Sequence, residues 1–134
     1  RKKLIVPTRK GFEWLKSRGF STRSDKCGGI LHQYWKRRLR DQFRNRRYRV
    51  EVEAKLPNNQ AIDLLIADKV AVEIETGKNN YEQILKNSRK SSQVVLFVLK
   101  ESLVERLSKE IDAVVVSEER DCITEVMRLM GDTE

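Results

Sequence analysis

Three carboxylates sit where carboxylates are expensive. Asp63, Glu73 and Glu75 lie inside the apolar runs of Ala61 to Lys78, AIDLLIADKVAVEIETGK. This stretch reads as two short strands, Ala61 to Ile66 and Val70 to Ile74, joined by a tight Ala67-Asp68-Lys69 connection. Alternate side chains on a strand share a face, so Glu73 and Glu75 project together and Asp63, on the antiparallel neighbour, lies beside them. Acids buried side by side need a cation to neutralise them, and an all-oxygen set suits Mg²⁺ or Mn²⁺ better than zinc. The flanking Val70-Ala71-Val72 and Ile74 mark an interior strand rather than an edge facing water.

The elements that must position these acids follow from periodicity. Upstream, Leu31, Trp35, Leu39 and Phe43 recur every four residues and predict a helix over Leu31 to Arg47. Lys36, Arg37, Arg38, Arg40, Arg44, Arg46 and Arg47 crowd its remaining surface, with only Asp41 as counterweight. A face of nearly one sign is expected to contact a nucleic-acid backbone. His32, at the helix start, is a candidate to face the acids. Tyr48 to Leu56 alternates apolar and charged residues and reads as a strand, turning at Pro57-Asn58-Asn59-Gln60 into Ala61 to Ile66. Glu53 is a further candidate ligand from that strand, although alternation alone also accounts for it as solvent-facing.

Downstream, the polar loop Thr76 to Asn80 leads to a helix over Tyr81 to Ser91, with Asn80, Lys86, Arg89 and Lys90 as candidate phosphate contacts. Val94 to Leu99 is a continuous apolar run, hence a buried strand. A helix over Leu103 to Ile111, a strand over Ala113 to Val116 and a helix over Glu118 to Met130 complete the chain; their apolar residues are core.

Asp63, nine intervening residues, then Glu73-Ile74-Glu75 resembles the active-site hairpin of the PD-(D/E)xK nuclease superfamily, which includes archaeal Holliday junction resolvases. The resemblance implies an α/β restriction-endonuclease-like fold: an αβββαβ core with a mixed central sheet flanked by helices. It implies that Asp63 and Glu73 hold Mg²⁺ or Mn²⁺ for phosphodiester hydrolysis of DNA, branched or junction DNA among the candidate substrates. Glu75 stands where the family has a catalytic Lys, so it completes the metal site or orients water, and Lys78 is the candidate replacement cation. In relatives of the junction resolvases a Gln on the following helix sits by the site, which points to Gln83. Single-site cores of this kind cut both strands of a duplex only as dimers, so a homodimer is expected. The departure at Glu75 also allows a nuclease-fold DNA-binding module that does not cleave. A protein-interaction domain of a larger replication or mobile-element protein is a further alternative.

Composition agrees in class. The 134 residues carry 36% charged and 39% hydrophobic side chains, enough for one domain and an appendage. Net charge is +8, divided as +14 over residues 1 to 50 and −6 over residues 51 to 134, so a polyanion partner is expected at the front of the chain. No run of about 18 apolar residues and no signal pattern occurs, so no membrane association and a cytoplasmic location are expected. The basic helix also has too few bulky apolar residues on its rim to favour a membrane surface. Cys27 and Cys122 have no His or Cys at metal-ligand spacing. No GxxxxGKS loop is present, which disfavours an ATPase. Residues 1–26 form a separate unit in this reading: a strand halted by Pro7 and a helix capped by Thr8 resemble the end of a winged-helix domain, or else an N-terminal arm. The nuclease-like domain spans 27–134.

Overall fold

Trp35, Leu39 and Phe43, spaced by four, are buried along one side of the first helix, α1 (Ile30–Asn45). Ile30 is buried with them whereas Leu31 is only half-buried, so the stripe begins one residue earlier than the spacing predicts. In the computed structural model the described residues are 29–77 and 79–132. The N-terminal arm, its winged-helix resemblance, Cys27 and Lys78 lie outside them.

The remaining elements are β1 (Val50–Lys55), β2 (Ala61–Ile66), β3 (Val70–Glu75), α2 (Tyr81–Asn87), β4 (Val94–Val98), α3 (Glu101–Glu110), β5 (Val114–Val116) and α4 (Glu119–Met130). They form one five-stranded mixed sheet in the order β1-β2-β3-β4-β5. The first three strands are antiparallel neighbours, and β3, β4 and β5 run parallel. Ala67 and Asp68 both take positive φ, 51° and 56°, which makes the β2–β3 turn as tight as the short connection requires.

Two crossovers stepping in the same direction, β3-α2-β4 and β4-α3-β5, put their helices on the same face. Ile84, Leu107 and Ile111 from this pair pack with Ala71, Leu96 and Val98. On the opposite face α1 and α4 meet the sheet. There Trp35, Leu39 and Phe43 join Cys122, Ile123 and Val126 over Leu64, Val72 and Phe97, with the Trp35 and Phe97 rings 4.9 Å apart. The continuous apolar reading of β4 is therefore met by a strand covered on both faces.

Two helices end alike. Beyond α1, Tyr48 N–H reaches the Phe43 carbonyl and Arg47 N–H the Arg44 carbonyl, with Arg47 at φ 68° and the Phe43 and Tyr48 rings in edge contact. Beyond α4, Asp132 and Gly131 bond Met127 and Arg128 in the same pattern, with Gly131 at φ 83°. A Cβ on Gly131 would meet nothing within 4 Å. Gly131→Ala is therefore expected to cost only the left-handed backbone penalty, about 1 kcal/mol, read as a lower urea midpoint at unchanged slope.

β1 and β2 change layers partway. Val50 and Val52 belong to the α1/α4 core but Ala54 packs in the α2/α3 core; on β2, Leu64 and Ile66 belong to the first and Ile62 to the second. Strict alternation would keep each set on one side. The switch falls at Glu53 and Asp63, which face each other between the paired positions Val52↔Leu64 and Ala54↔Ile62, and Glu53 sits there at φ 52°. A left-handed Glu in mid-strand has no local reason in the sequence, and such strain accumulates at sites where something else fixes the backbone.

Candidate active site

The β2–β3 ladder runs through Ile66↔Val70 and Leu65↔Ala71 and ends at Leu64↔Val72. At the next step two carboxylates stand in for backbone carbonyls. Asp63 N–H donates to Glu73 Oε2 at 2.8 Å, and Ile74 N–H donates to Asp63 Oδ2 at 2.8 Å. The acids thereby stitch together the strands whose separation makes room for them. Glu73 and Glu75 are buried, at 1% and 2% exposure, and Asp63 at 9%.

Each acid has a lysine, an imidazole or an amide against it. Lys90 Nζ lies 2.8 Å from Glu73 Oε1 and also donates to the Ala61 carbonyl at 2.6 Å. His32 Nε2 lies 3.1 Å from Asp63 Oδ2, while its Nδ1 is buried without a hydrogen-bond partner. Glu75 accepts from Asn87 Nδ2 at 2.7 Å and from Asn79 Nδ2 at 2.9 Å, and Gln83 Nε2 donates to Asn87 Oδ1 at 3.1 Å. Beside them Lys36 Nζ donates to Glu53 Oε1 at 3.2 Å. His32 and Lys36 are four residues apart on α1, so one helix face reaches both residues of the layer switch, Asp63 and Glu53.

Burial sets the electrostatics. It pushes the Glu73 carboxyl up to about 8, helped by the charge on Asp63 and opposed by Lys90. Burial likewise raises Glu75, against the hydrogen bonds from Asn87 and Asn79. A carboxyl with a raised pKa beside a second carboxylate and a lysine can exchange protons near neutrality, and such groups cluster at functional sites.

The structure brings together Asp63, Glu73, Glu75 and His32, with Glu53 at the rim and Gln83 acting through Asn87. It departs from the expected cationic face of α1: Lys36 is 7% exposed and turned inward onto Glu53. Arg38 pairs with Glu119 at 2.5 Å and Arg40 with Asp41 at 2.9 Å, and Arg44 donates to the Val50 carbonyl at 3.3 Å. Arg37, Arg44 and Arg89 are exposed. Asn80 caps α2 by accepting from Gln83 N–H.

Lys90 and Asn87 carry more of the site than the sequence suggested. Lys90 reads there as a phosphate contact and Asn87 as nothing in particular. The signal that could have found them is the spacing Gln83, Asn87, Lys90, which repeats at i, i+4, i+7 as a polar stripe facing the acid-bearing strand. The regular helix stops at Asn87, earlier than the expected Ser91, and Lys90 reaches Glu73 from the turns beyond it.

A metal fits part of this set. Among the described residues no group of three or more His, Cys, Asp or Glu side chains is arranged to hold a metal ion, so Glu75 and Glu53 do not complete a protein cage around Asp63 and Glu73. Mg²⁺ does not need one, since it commonly takes one or two carboxylates and fills its shell with water and substrate phosphate. Asp63 and Glu73, hard oxygen donors joined across adjacent strands, meet that requirement. No described helix is long and apolar enough to cross a membrane. No protein-family model, curated protein or solved structure matches the chain.

Proposed function

We propose that this chain is a metal-dependent deoxyribonuclease of restriction-endonuclease-like fold, hydrolysing DNA phosphodiester bonds at Asp63 and Glu73. The observation that carries the reading is the Glu73–Lys90 pair, 2.8 Å apart in the gap where β2 leaves β3, with Asp63 bonded across the same gap. Lys90 supplies from another element the cation that the resemblance expects at position 75. The element order, with α1 before three antiparallel strands and then a parallel β4, agrees with the αβββαβ core.

Asp63 and Glu73 would hold Mg²⁺ or Mn²⁺, which stabilises charge on a scissile phosphate and lowers the pKa of a bound water. The chain's own residues do the rest. Lys90 fixes Glu73 Oε1 and offers positive charge to a phosphate entering the gap. His32 holds Asp63 in orientation, and Glu75, aimed by Asn79 and Asn87, accepts a proton from water. Arg37, Arg40, Arg44 and Arg89 meet the backbone away from the scissile bond, giving affinity without sequence choice. Cutting both strands requires a two-fold homodimer.

One observation favours a second reading, a DNA-binding module that does not cleave: both Glu73 oxygens already accept from protein donors. The two part on one assay, in which labelled linear, branched and single-stranded DNAs are incubated with Mg²⁺ or Mn²⁺, with EDTA as control. Metal-dependent products are expected from the parent, falling by on the order of 10²–10³-fold in Asp63→Ala. Salt-sensitive binding without products under either metal would assign the non-cleaving module instead.

A further inference from the structure

Among the described residues β5 is an edge of the sheet, paired with β4 alone, in the register Val95↔Val114, Leu96↔Val115 and Phe97↔Val116. The helices beside it come from opposite layers: α3 packs in the core shared with α2, and α4 in the core shared with α1. A depression of about 420 Å³ is lined by both helices and by β5 together, including Glu101 and Val104 of α3 and Asp121 and Glu125 of α4. Its strand lining is Val114, Val115 and Val116 with no residue of β4, so it runs along the outer side of β5. A second depression, about 340 Å³, shares Val114 and continues toward Ile111 and Leu129.

The two edges of the sheet are treated differently. β1 is interrupted by the left-handed Glu53 and carries exposed Glu51 and Lys55, features that discourage strand addition. β5 is Val-Val-Val, without proline, charge or left-handed residue. The acids around it include the exposed Glu101 and Asp121, with Glu118 and with Glu125, which pairs with Arg128 at 2.7 Å, in a chain whose net charge is +8. That sign repels nucleic acid and attracts cationic peptide.

We propose that the β5 edge is a docking site for an extended, lysine- or arginine-bearing segment of a protein partner, which adds as a sixth strand between α3 and α4. Backbone bonding to β5 gives the affinity. Alternate side chains meet the valines and Val104, and the cationic ones meet the acidic rim, which sets the preference. The site is separate from the carboxylates at the β2–β3 gap and holds whether or not the chain cleaves DNA.

The test uses the full chain, ¹⁵N-labelled, with a peptide of alternating Lys and Val, its Glu/Val counterpart, and a Lys/Val peptide methylated on alternate backbone nitrogens. The Lys/Val peptide is expected to bind and to slow exchange at the β5 amides that point away from β4. The Glu/Val peptide should not bind, and backbone methylation should weaken binding at least about tenfold, as should joint Glu101→Lys and Asp121→Lys, both at exposed positions. Equal binding of the methylated peptide would reduce the effect to charge attraction and overturn strand addition. Protection, in the free chain, of the β5 amides that point away from β4 would also overturn it. Protection that grows with concentration would assign the edge to a second copy, and protection independent of concentration to residues of the same chain.

Discussion

Stability of the parent protein, measured in EDTA, is expected to fall as pH rises from 5 to 8.5, and Glu73→Gln is expected to flatten most of that fall. The Glu73 carboxyl is raised from 4.5 to about 8 in the folded chain, chiefly by burial. Between those values the folded state binds more protons than the unfolded state. The contribution is therefore fully present below the unfolded value and lost as pH climbs through the folded one, with a steepest slope of about 1.4 kcal/mol per pH unit for one proton. Urea midpoints at pH 5, 6, 7 and 8.5 measure it. The glutamine retains an acceptor for Asp63 N–H but no titrating group, so an unchanged slope in the variant would show that Glu73 is not its source. On the proposed nuclease reading the variant also loses cleavage by on the order of 10²–10³-fold, because an amide is a poor ligand for a hard cation.

Lys90→Met is expected to be among the most destabilising single substitutions in the chain. Lys90 is 11% exposed and Glu73 2% at the side chain, so at pH 8.5, where Glu73 is ionised, removing the ammonium leaves a buried carboxylate without its cation and the Ala61 carbonyl without that donor. Breaking a buried pair from one side typically costs about 3–5 kcal/mol. Combined with Glu73→Gln, the loss should shrink by more than half, because no charge then remains to be stranded; urea titrations of parent, singles and double close the cycle. Additive losses would mean that Lys90 works mainly through Ala61, by pinning the start of β2. Cleavage separates the roles further, since a cation offered to phosphate stays missing in the double variant however much stability returns.

Most elements are legible because each burial pattern has its own period. The four-residue stripe Trp35, Leu39, Phe43 gives α1, and the unbroken Val94 to Val98 gives a strand covered on both faces. The three acids are legible for the same reason in reverse, since they interrupt apolar runs where burial is costly. Their partners are not. His32 meets Asp63, Lys36 meets Glu53 and Lys90 meets Glu73 across 17 or more residues, and nothing local says which cation of a basic helix turns inward. Lys36 shows the difficulty: one of seven basic residues expected on an outer face, it is selected by the register of β1 beneath α1. The layer switch at Glu53 is equally hidden, because YRVEVEAKL alternates without interruption and only the folded hairpin requires a left-handed residue in its middle.

That switch makes the hairpin a lever whose two arms rest in different cores. The arm beyond the switch, Ala54 and Ile62, is held by the layer under α2 and α3, and the arm before it, Val50, Val52, Leu64 and Ile66, by the layer under α1 and α4. The pivot falls at Glu53 and Asp63, so a shift of one layer against the other is expected to turn the Asp63 carboxylate. Substitutions far from the acids, in either layer, thereby acquire a route to the chemistry, and packing faults that a continuous strand would absorb arrive at this one as a change of aim.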